Sequence, residues 1–229
     1  MSHRPAGHLA CMPAKVDTVV LDVDGTLIDS NYHHTLAWSR AFEHVGVTVP
    51  LWRIHRTIGM GGDKLVAAAA GDEVEKAHGD DVRDRWEQEY DGLIGETRLL
   101  PGAKELLRML DERGIEVALA SSSIPKHAQH AFELLDADDL ADTATTAEHV
   151  EESKPDPELV EEALSRLESD HACVIGDSPY DVEAAQRSGL PAYGLLTGGY
   201  GRAELEKAGA AGVYEDLPDL LEHLDEWLT

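Results

Sequence analysis

Short, almost continuously apolar runs alternate with amphipathic stretches along most of this chain, and each run is halted by polar residues. The first, KVDTVVLDVD, is rich in valine and reads as a strand covered on both faces. EVALASSS, ACVIGDS and AYGLLTGG repeat the pattern, and AGVYED is a weaker copy. Between them lie helical periodicities. GAKELLRMLDERG sets Leu106, Leu107 and Leu110 on one face and stops at Gly114. DPELVEEALSRLE opens on Asp156 and Pro157 and repeats Leu159, Val160, Ala163, Leu164 and Leu167. YDVEAAQRSG again ends in glycine. The acidic LPDLLEHLDEWL keeps a leucine pattern, so its acids read as the solvated face of a helix. Strands alternating with helices predict an α/β fold with a doubly wound parallel sheet.

Residues 29–98 break this rhythm. They are rich in alanine, histidine and acids, they hold Trp38, Trp52 and Trp86, and they contain no convincing strand. HHTLAWSRAFEHVG and DDVRDRWEQEYDGLIGE look helical, and Pro101-Gly102 restarts the alternation. The expected organisation is a leader over 1–14, a core from 15–28 and 99–229, and a helical insert over 29–98. The leader lacks the apolar stretch of a secretory signal and reads as flexible, and Met12 offers an alternative start.

Composition narrows the function. The 229 residues carry 45 acids against 19 bases, a formal net charge of −26. Phosphate backbones and anionic membranes would be repelled, so neither nucleic acid nor membrane is an expected partner. High-salt adaptation is one explanation of such a surface. No apolar run nears the ~18 residues of a membrane span. Cys11 and Cys173 form no disulfide framework, which points to a reducing cytoplasm. An anionic substrate would need local cations.

Those cations, and a reason for the acids, lie at the strand ends, where open parallel sheets bind ligands. The first strand ends in Asp22-Val23-Asp24, the second in Ser121-Ser122-Ser123 and the third in Gly176-Asp177-Ser178, with Asp181 a turn later. Lys154 precedes a helix in EESKPDPE. Carboxylates this close resist joint ionisation without a cation. A cluster of Asp22, Asp24, Asp177 and Asp181 with no soft ligand favours Mg²⁺. Lys154 and Ser121 add a charge and a hydroxyl suited to a phosphoryl group, and Gly25-Thr26 suits a turn with free N–H groups. No P-loop and no G-x-G-x-x-G after the first strand is present. GMGGDK lies in the insert, and His127 and His130 read as a solvated helix face.

The combination resembles the haloacid dehalogenase superfamily in its phosphatase branch. DVDGT, the serine-ended LASSS, Lys154 in SKPDP, and GDSPYD match its four motifs from about Lys15 onward, and TGGYGRAELEKAGA resembles phosphoglycolate-phosphatase-like members. The resemblance implies a Rossmann-like core with a helical cap, and a Mg²⁺-dependent phosphatase acting on a small phosphorylated metabolite. It makes Asp22 the nucleophile and Asp24 the general acid and base, with its backbone carbonyl on Mg²⁺. Asp177 completes the metal site with Asp181. Ser121, Ser122 and Lys154, with Gly25 and Thr26, hold the phosphate. From the cap, His34, Trp38 and Lys64 are candidate substrate residues, beside His33 and Arg56. A phosphomutase of the β-phosphoglucomutase type is the alternative. HHTLAW resembles that group, but the arginine its cap loop carries is missing at about Gly62. A receiver-like signalling domain is a third reading, disfavoured by the D-x-D-G-T signature and the insert. Oligomeric state is not legible.

Overall fold

A computed structural model describes residues 15–167, 169 and 171–228, so the leader, with Cys11 and Met12, lies outside the described residues. The strands, in chain order, are β1 (Thr18–Asp22), β2 (Ile28–Asp29), β3 (Arg98–Leu99), β4 (Glu116–Ala120), β5 (Thr143–Thr145), β6 (Ala172–Gly176), β7 (Ala192–Leu195) and β8 (Gly212–Tyr214). Six of them form one parallel sheet in the order β5-β4-β1-β6-β7-β8. Alternation along β1 sends Val19 and Leu21 into one apolar layer and Val20 into the other, so both faces of the sheet are covered by helices. Each such fully buried side chain contributes roughly 1.5–3 kcal/mol.

The chain works outward from β1 to β4 and β5, then crosses back to β6, β7 and β8. The order therefore reverses at β1, and the crevice outside its carboxyl end is where ligands enter such sheets. Asp22 is the last residue of β1, paired with Ala120 at the end of β4.

Helices Asn31–His44, Leu51–His55, Gly62–Ala70 and Asp72–Asp91 make a separate packed unit with its own apolar cluster, including Trp38, Phe42, Leu65, Val82, Trp86 and Tyr90. The chain leaves and re-enters the core through the antiparallel pair β2–β3, Ile28 opposite Leu99 and Asp29 opposite Arg98. The sequence reading found no strand there, because two residues are too few to show alternation. It also passed over β5, whose Thr-Ala-Thr makes no apolar run.

One expectation is corrected. His127 is not on a solvated face. It is 4% exposed, donates or accepts at Asp91 of the insert (2.9 Å), and meets Tyr90 and Trp86 edge-on at 4.8 and 5.4 Å. Its helix, Pro125–Leu135, turns this side toward the insert, which periodicity within that one helix does not reveal.

Candidate active site

The site is assembled by strand ends and by one helix cap. Asp22 emerges from β1 with its Oδ1 accepting from Lys154 Nζ (2.5 Å) and its Oδ2 from the Thr26 hydroxyl (2.9 Å). Lys154 is 1% exposed, lies 2.8 Å from Asp181 Oδ1, and donates to the carbonyl of Ala120 (3.2 Å). Asp181 is set by its own helix, Pro179–Arg187. Its Oδ2 accepts from the Ser178 amide (3.1 Å) and hydroxyl (2.6 Å), a reciprocal cap that leaves Oδ1 for the lysine. Gly176 makes room for it, since a Cβ there would sit 2.3 Å from Asp181 Cγ.

Asp22, Asp177 and Asp181 are all buried and bring carboxylate oxygens within 4.8 Å of one another. Three acids thus share one ammonium. Burial, opposed by Lys154 and reinforced by Asp181 and Asp24, pushes Asp22 up to about 7. Burial with the charges of Asp22 and Asp181 raises Asp177 well above the carboxylate range. Lys154 is raised in turn, because Asp181 and Asp22 outweigh its burial. Such an excess of buried oxygen ligands is what a divalent cation neutralises, and an all-oxygen set suits Mg²⁺. Space at Asp177 is kept by glycine. A Cβ on Gly25, which has φ +83°, would lie 2.1 Å from Asp177 Oδ2, and one on Gly198 2.2 Å from it. The residues present therefore fit the ion that the resemblance implies.

Asp24 stands apart from this triad. Its Oδ1 accepts from Ser30 Oγ (2.6 Å) and contacts His34 Nε2 (3.2 Å), while Oδ2 accepts from Ser123 Oγ (2.9 Å) and, at 3.5 Å, Ser121 Oγ. Burial alone would raise Asp24. The charge of His34 and the hydrogen bonds from His34, Ser30 and Ser123 outweigh it and hold the carboxyl well below its ordinary range.

A cavity of about 50 Å³ lies over Asp22 and Asp24, roofed by His34, Trp38, Ile58, Met60, Leu65 and Trp86 of the insert. His34 stacks on Tyr90 at 3.9 Å and Trp38 on Trp86 at 4.8 Å. Lys64 does not line this cavity. Its ammonium donates to the Ser153 carbonyl (2.6 Å) and pairs with Glu152 (3.1 Å), while the Gly61 amide donates to Ser153 Oγ (2.9 Å) and Ser153 N to Asp63 (3.2 Å). Arg56 is likewise remote, paired with Glu204 and 4.2 Å over the Tyr200 ring. His33 is not in the cavity lining. Ser122 lines the cavity, but its hydroxyl is buried without a partner.

Sequence reasoning missed the polar residues that hold the acids. Asn31 donates to Asp177 Oδ2 (2.7 Å), Ser30 and Ser123 fix Asp24, and the Thr26 hydroxyl bridges Asp22 and Asp177, the latter at 3.4 Å. The available signal was the unbroken polar run Asp29-Ser30-Asn31 at a strand-to-helix junction beside the motif.

Residues 16–189 match the family of haloacid dehalogenase-like hydrolases. A phosphoglycolate phosphatase of Cereibacter sphaeroides is 30% identical over 90% of this chain and 98% of its own. A validoxylamine A 7'-phosphate phosphatase of Streptomyces hygroscopicus subsp. limoneus is 31% identical over 78% and 84%. The crystal structure of a hydrolase from Pseudomonas syringae superposes with a TM-score of 0.88 at 36% identity, covering 93% of this chain and 99% of that one. The chain belongs to the haloacid dehalogenase-like hydrolases, with phosphoglycolate phosphatases among its relatives.

Proposed function

We propose that this phosphatase hydrolyses the phosphate monoester of a small cytoplasmic metabolite through an aspartyl-phosphate on Asp22, with Mg²⁺ held by Asp22, Asp177, Asp181 and the Asp24 backbone carbonyl. The observation that carries the reading is Asp22 itself. It is a buried carboxylate at the reversal point of the sheet, gripped by Lys154 and Thr26, and it opens onto a cavity. When bound, the ion offsets the repulsion between an anionic nucleophile and an anionic ester.

Asp22 attacks phosphorus and the ester oxygen departs. Lys154, the Ser121 hydroxyl and the Gly25-Thr26 turn hold the phosphoryl oxygens. Asp24 hands a proton to the leaving oxygen and takes one from the water that opens the aspartyl-phosphate. Its firm ionisation beside His34 suits the second task. For the first, the proton must reach it through that contact. His34 and Trp38 bound the leaving-group side, and the roof excludes water while the ester is bound. Gly62, where the mutase resemblance would place an arginine, lines the cavity, which supports release to water over return to the substrate.

The test is turnover of a panel of phosphorylated metabolites with Mg²⁺ and with excess chelator. Rapid-quench detection of an acid-stable, hydroxylamine-sensitive phosphoprotein is added. Mg²⁺-dependent phosphate release with phosphate trapped on Asp22 is expected; full turnover in chelator would refute the metal assignment.

A further inference from the structure

The cavity over Asp22 is too small for most metabolites, at about 50 Å³ against the roughly 300–1,000 Å³ of ordinary ligand pockets. It does not end there. A second cavity of about 320 Å³ runs between the insert and the core and shares Gly62, Trp86 and Ser122 with the first. An ester with its phosphorus placed for attack by Asp22 has room for its alcohol portion only past this shared wall.

The charges around that path are one-sided. Among the described residues, Arg83 is the only lysine or arginine lining either cavity, and its guanidinium is already committed. It donates to both oxygens of Glu75 (3.0 and 2.9 Å), to Asp80 (2.9 Å) and to the Gly62 carbonyl (3.1 Å). Lys64, just outside, is held by Ser153 and Glu152. His34 faces Asp24. Against these stand four further carboxylates on the second cavity: Asp63, Asp84, Glu87 and Glu151. Glu87 pairs with Lys126 at 3.5 Å, but Asp63, Asp84 and Glu151 have no basic partner among the described residues, so a carboxylate or second phosphate on the leaving group would meet an excess of negative charge. Hydroxyls and ammonium groups would not.

The shared wall adds unmet donors and a flat apolar face. Trp86 is 8% exposed and its indole N–H has no partner among the described residues; the Ser122 hydroxyl is also buried and unpartnered. An unsatisfied buried donor costs about 1–3 kcal/mol, and a ligand oxygen offers both groups a partner. The stacked Trp38 and Trp86 rings present aromatic surface to the carbon framework of a polyol.

Resting on the hydrolytic reading above, we infer that the natural leaving group is a neutral or cationic polyol, of the sugar, cyclitol or amino-sugar class, and that it carries no second anionic group. Phosphoglycolate, whose leaving alcohol carries a carboxylate, is then a poor substrate.

The experiment compares matched esters. 2-Hydroxyethyl phosphate replaces the carboxylate of phosphoglycolate by a hydroxymethyl group, and glucosamine 6-phosphate, glucose 6-phosphate and 6-phosphogluconate form a second series running from cation to anion. kcat/KM for 2-hydroxyethyl phosphate should exceed that for phosphoglycolate by at least about tenfold, and the second series should fall in the order given. Glu87→Lys with Glu151→Lys should raise kcat/KM for phosphoglycolate several-fold relative to that for 2-hydroxyethyl phosphate. Equal or better turnover of phosphoglycolate by the unaltered enzyme overturns the inference, as does a double variant that leaves phosphoglycolate unimproved relative to 2-hydroxyethyl phosphate. p-Nitrophenyl phosphate separates the two readings. If it is not hydrolysed with Mg²⁺, the phosphatase reading fails. Calorimetric affinities of the Asp22→Asn protein for the same esters still read the charge preference without turnover, and tighter binding of phosphoglycolate would then overturn it.

Discussion

The two surfaces that meet over Asp22 are built by opposite rules. On the core side, Asp22, Lys154, Asp177 and Asp181 are all at most 6% exposed and tied to one another or to adjoining residues by short contacts. On the insert side, the cavity is roofed mainly by apolar and aromatic side chains. The ion pairs that fasten the insert down, Lys64 to Glu152, Arg56 to Glu204 and Lys126 to Asp91, are half-exposed, whereas its hydrogen bonds from Asn31 to Asp177 and from the Gly61 amide to Ser153 are buried. Buried charges in a low dielectric are strongly coupled, whereas exposed pairs are worth little. Chemistry is therefore concentrated in the core half, and the exposed ion pairs add little to the insert's hold on it.

The sharpest way to break this contrast is Asp22→Asn. An amide is a poor nucleophile, so turnover should fall by at least about 10⁴-fold and no phosphoprotein should form. Stability should not fall with it. Asp22 is a carboxyl whose burial its partners do not fully offset, and Lys154 retains Asp181 and the Ala120 carbonyl. A thermal scan of the metal-free variant is expected to show an unchanged or higher Tm. A large drop would mean that the site is held together by the acid it uses for attack.

Asp24→Asn should cost less, roughly 10²–10⁴-fold, because it removes proton transfer and leaves the nucleophile in place. p-Nitrophenyl phosphate, with its good leaving group, should be spared in the first step, and the aspartyl-phosphate should accumulate. Absence of phosphoprotein in this variant on that ester, with Mg²⁺ still bound, would reverse the assigned roles.

Metal removal tests the electrostatics of the core half. Asp22 has a folded pKa of about 7, raised from 3.8. A raised carboxyl binds its proton more tightly in the folded state. Its charge therefore destabilises the metal-free protein progressively as pH rises from the unfolded value through about 7. Mg²⁺ takes the place of that proton. The rise in Tm on adding Mg²⁺ should be larger near about pH 8 than near about pH 5.5, and binding should release protons in calorimetry. A gain independent of pH would show that the ion does not sit on the titrating acids.

The same division explains what the sequence disclosed. Asp22, Asp24, Lys154, Asp177 and Asp181 were readable because each follows an apolar strand or opens a helix, so local pattern places it at one end of the sheet. Ser30, Asn31 and Ser123 were not, since their role is to hydrogen-bond acids distant in sequence or on another element, as Asn31 does with Asp177. The insert was readable as helices but not as a surface. Which side of Asp72–Asp91 and of Pro125–Leu135 meets the other depends on how two packed units dock, and His127 was misjudged for that reason. Lys64 was a candidate substrate residue from the cap, but its partner Ser153 lies 89 residues on.

The smallest expected effect belongs to Arg56. Its ion pair with Glu204 joins side chains 39% and 45% exposed, which limits the pair to about 1 kcal/mol or less. Its stacking over the buried Tyr200 ring adds about 0.5–2 kcal/mol. The backbone carbonyl of Arg56 still accepts from the Tyr180 and Tyr200 hydroxyls (2.6 and 3.0 Å), and substitution leaves those bonds in place. Arg56→Ala should therefore loosen the insert without freeing it. kcat/KM should fall by less than about tenfold, with KM changing more than kcat. Near 1 M salt, where the Debye length is about 3 Å, the ion-pair share of the difference from the unaltered enzyme should vanish. The measurement is kcat and KM for both proteins across a salt series. A loss beyond about 100-fold, or one that salt does not reduce, would show that this exposed latch governs the buried chemistry, and the contrast between the two halves would fail.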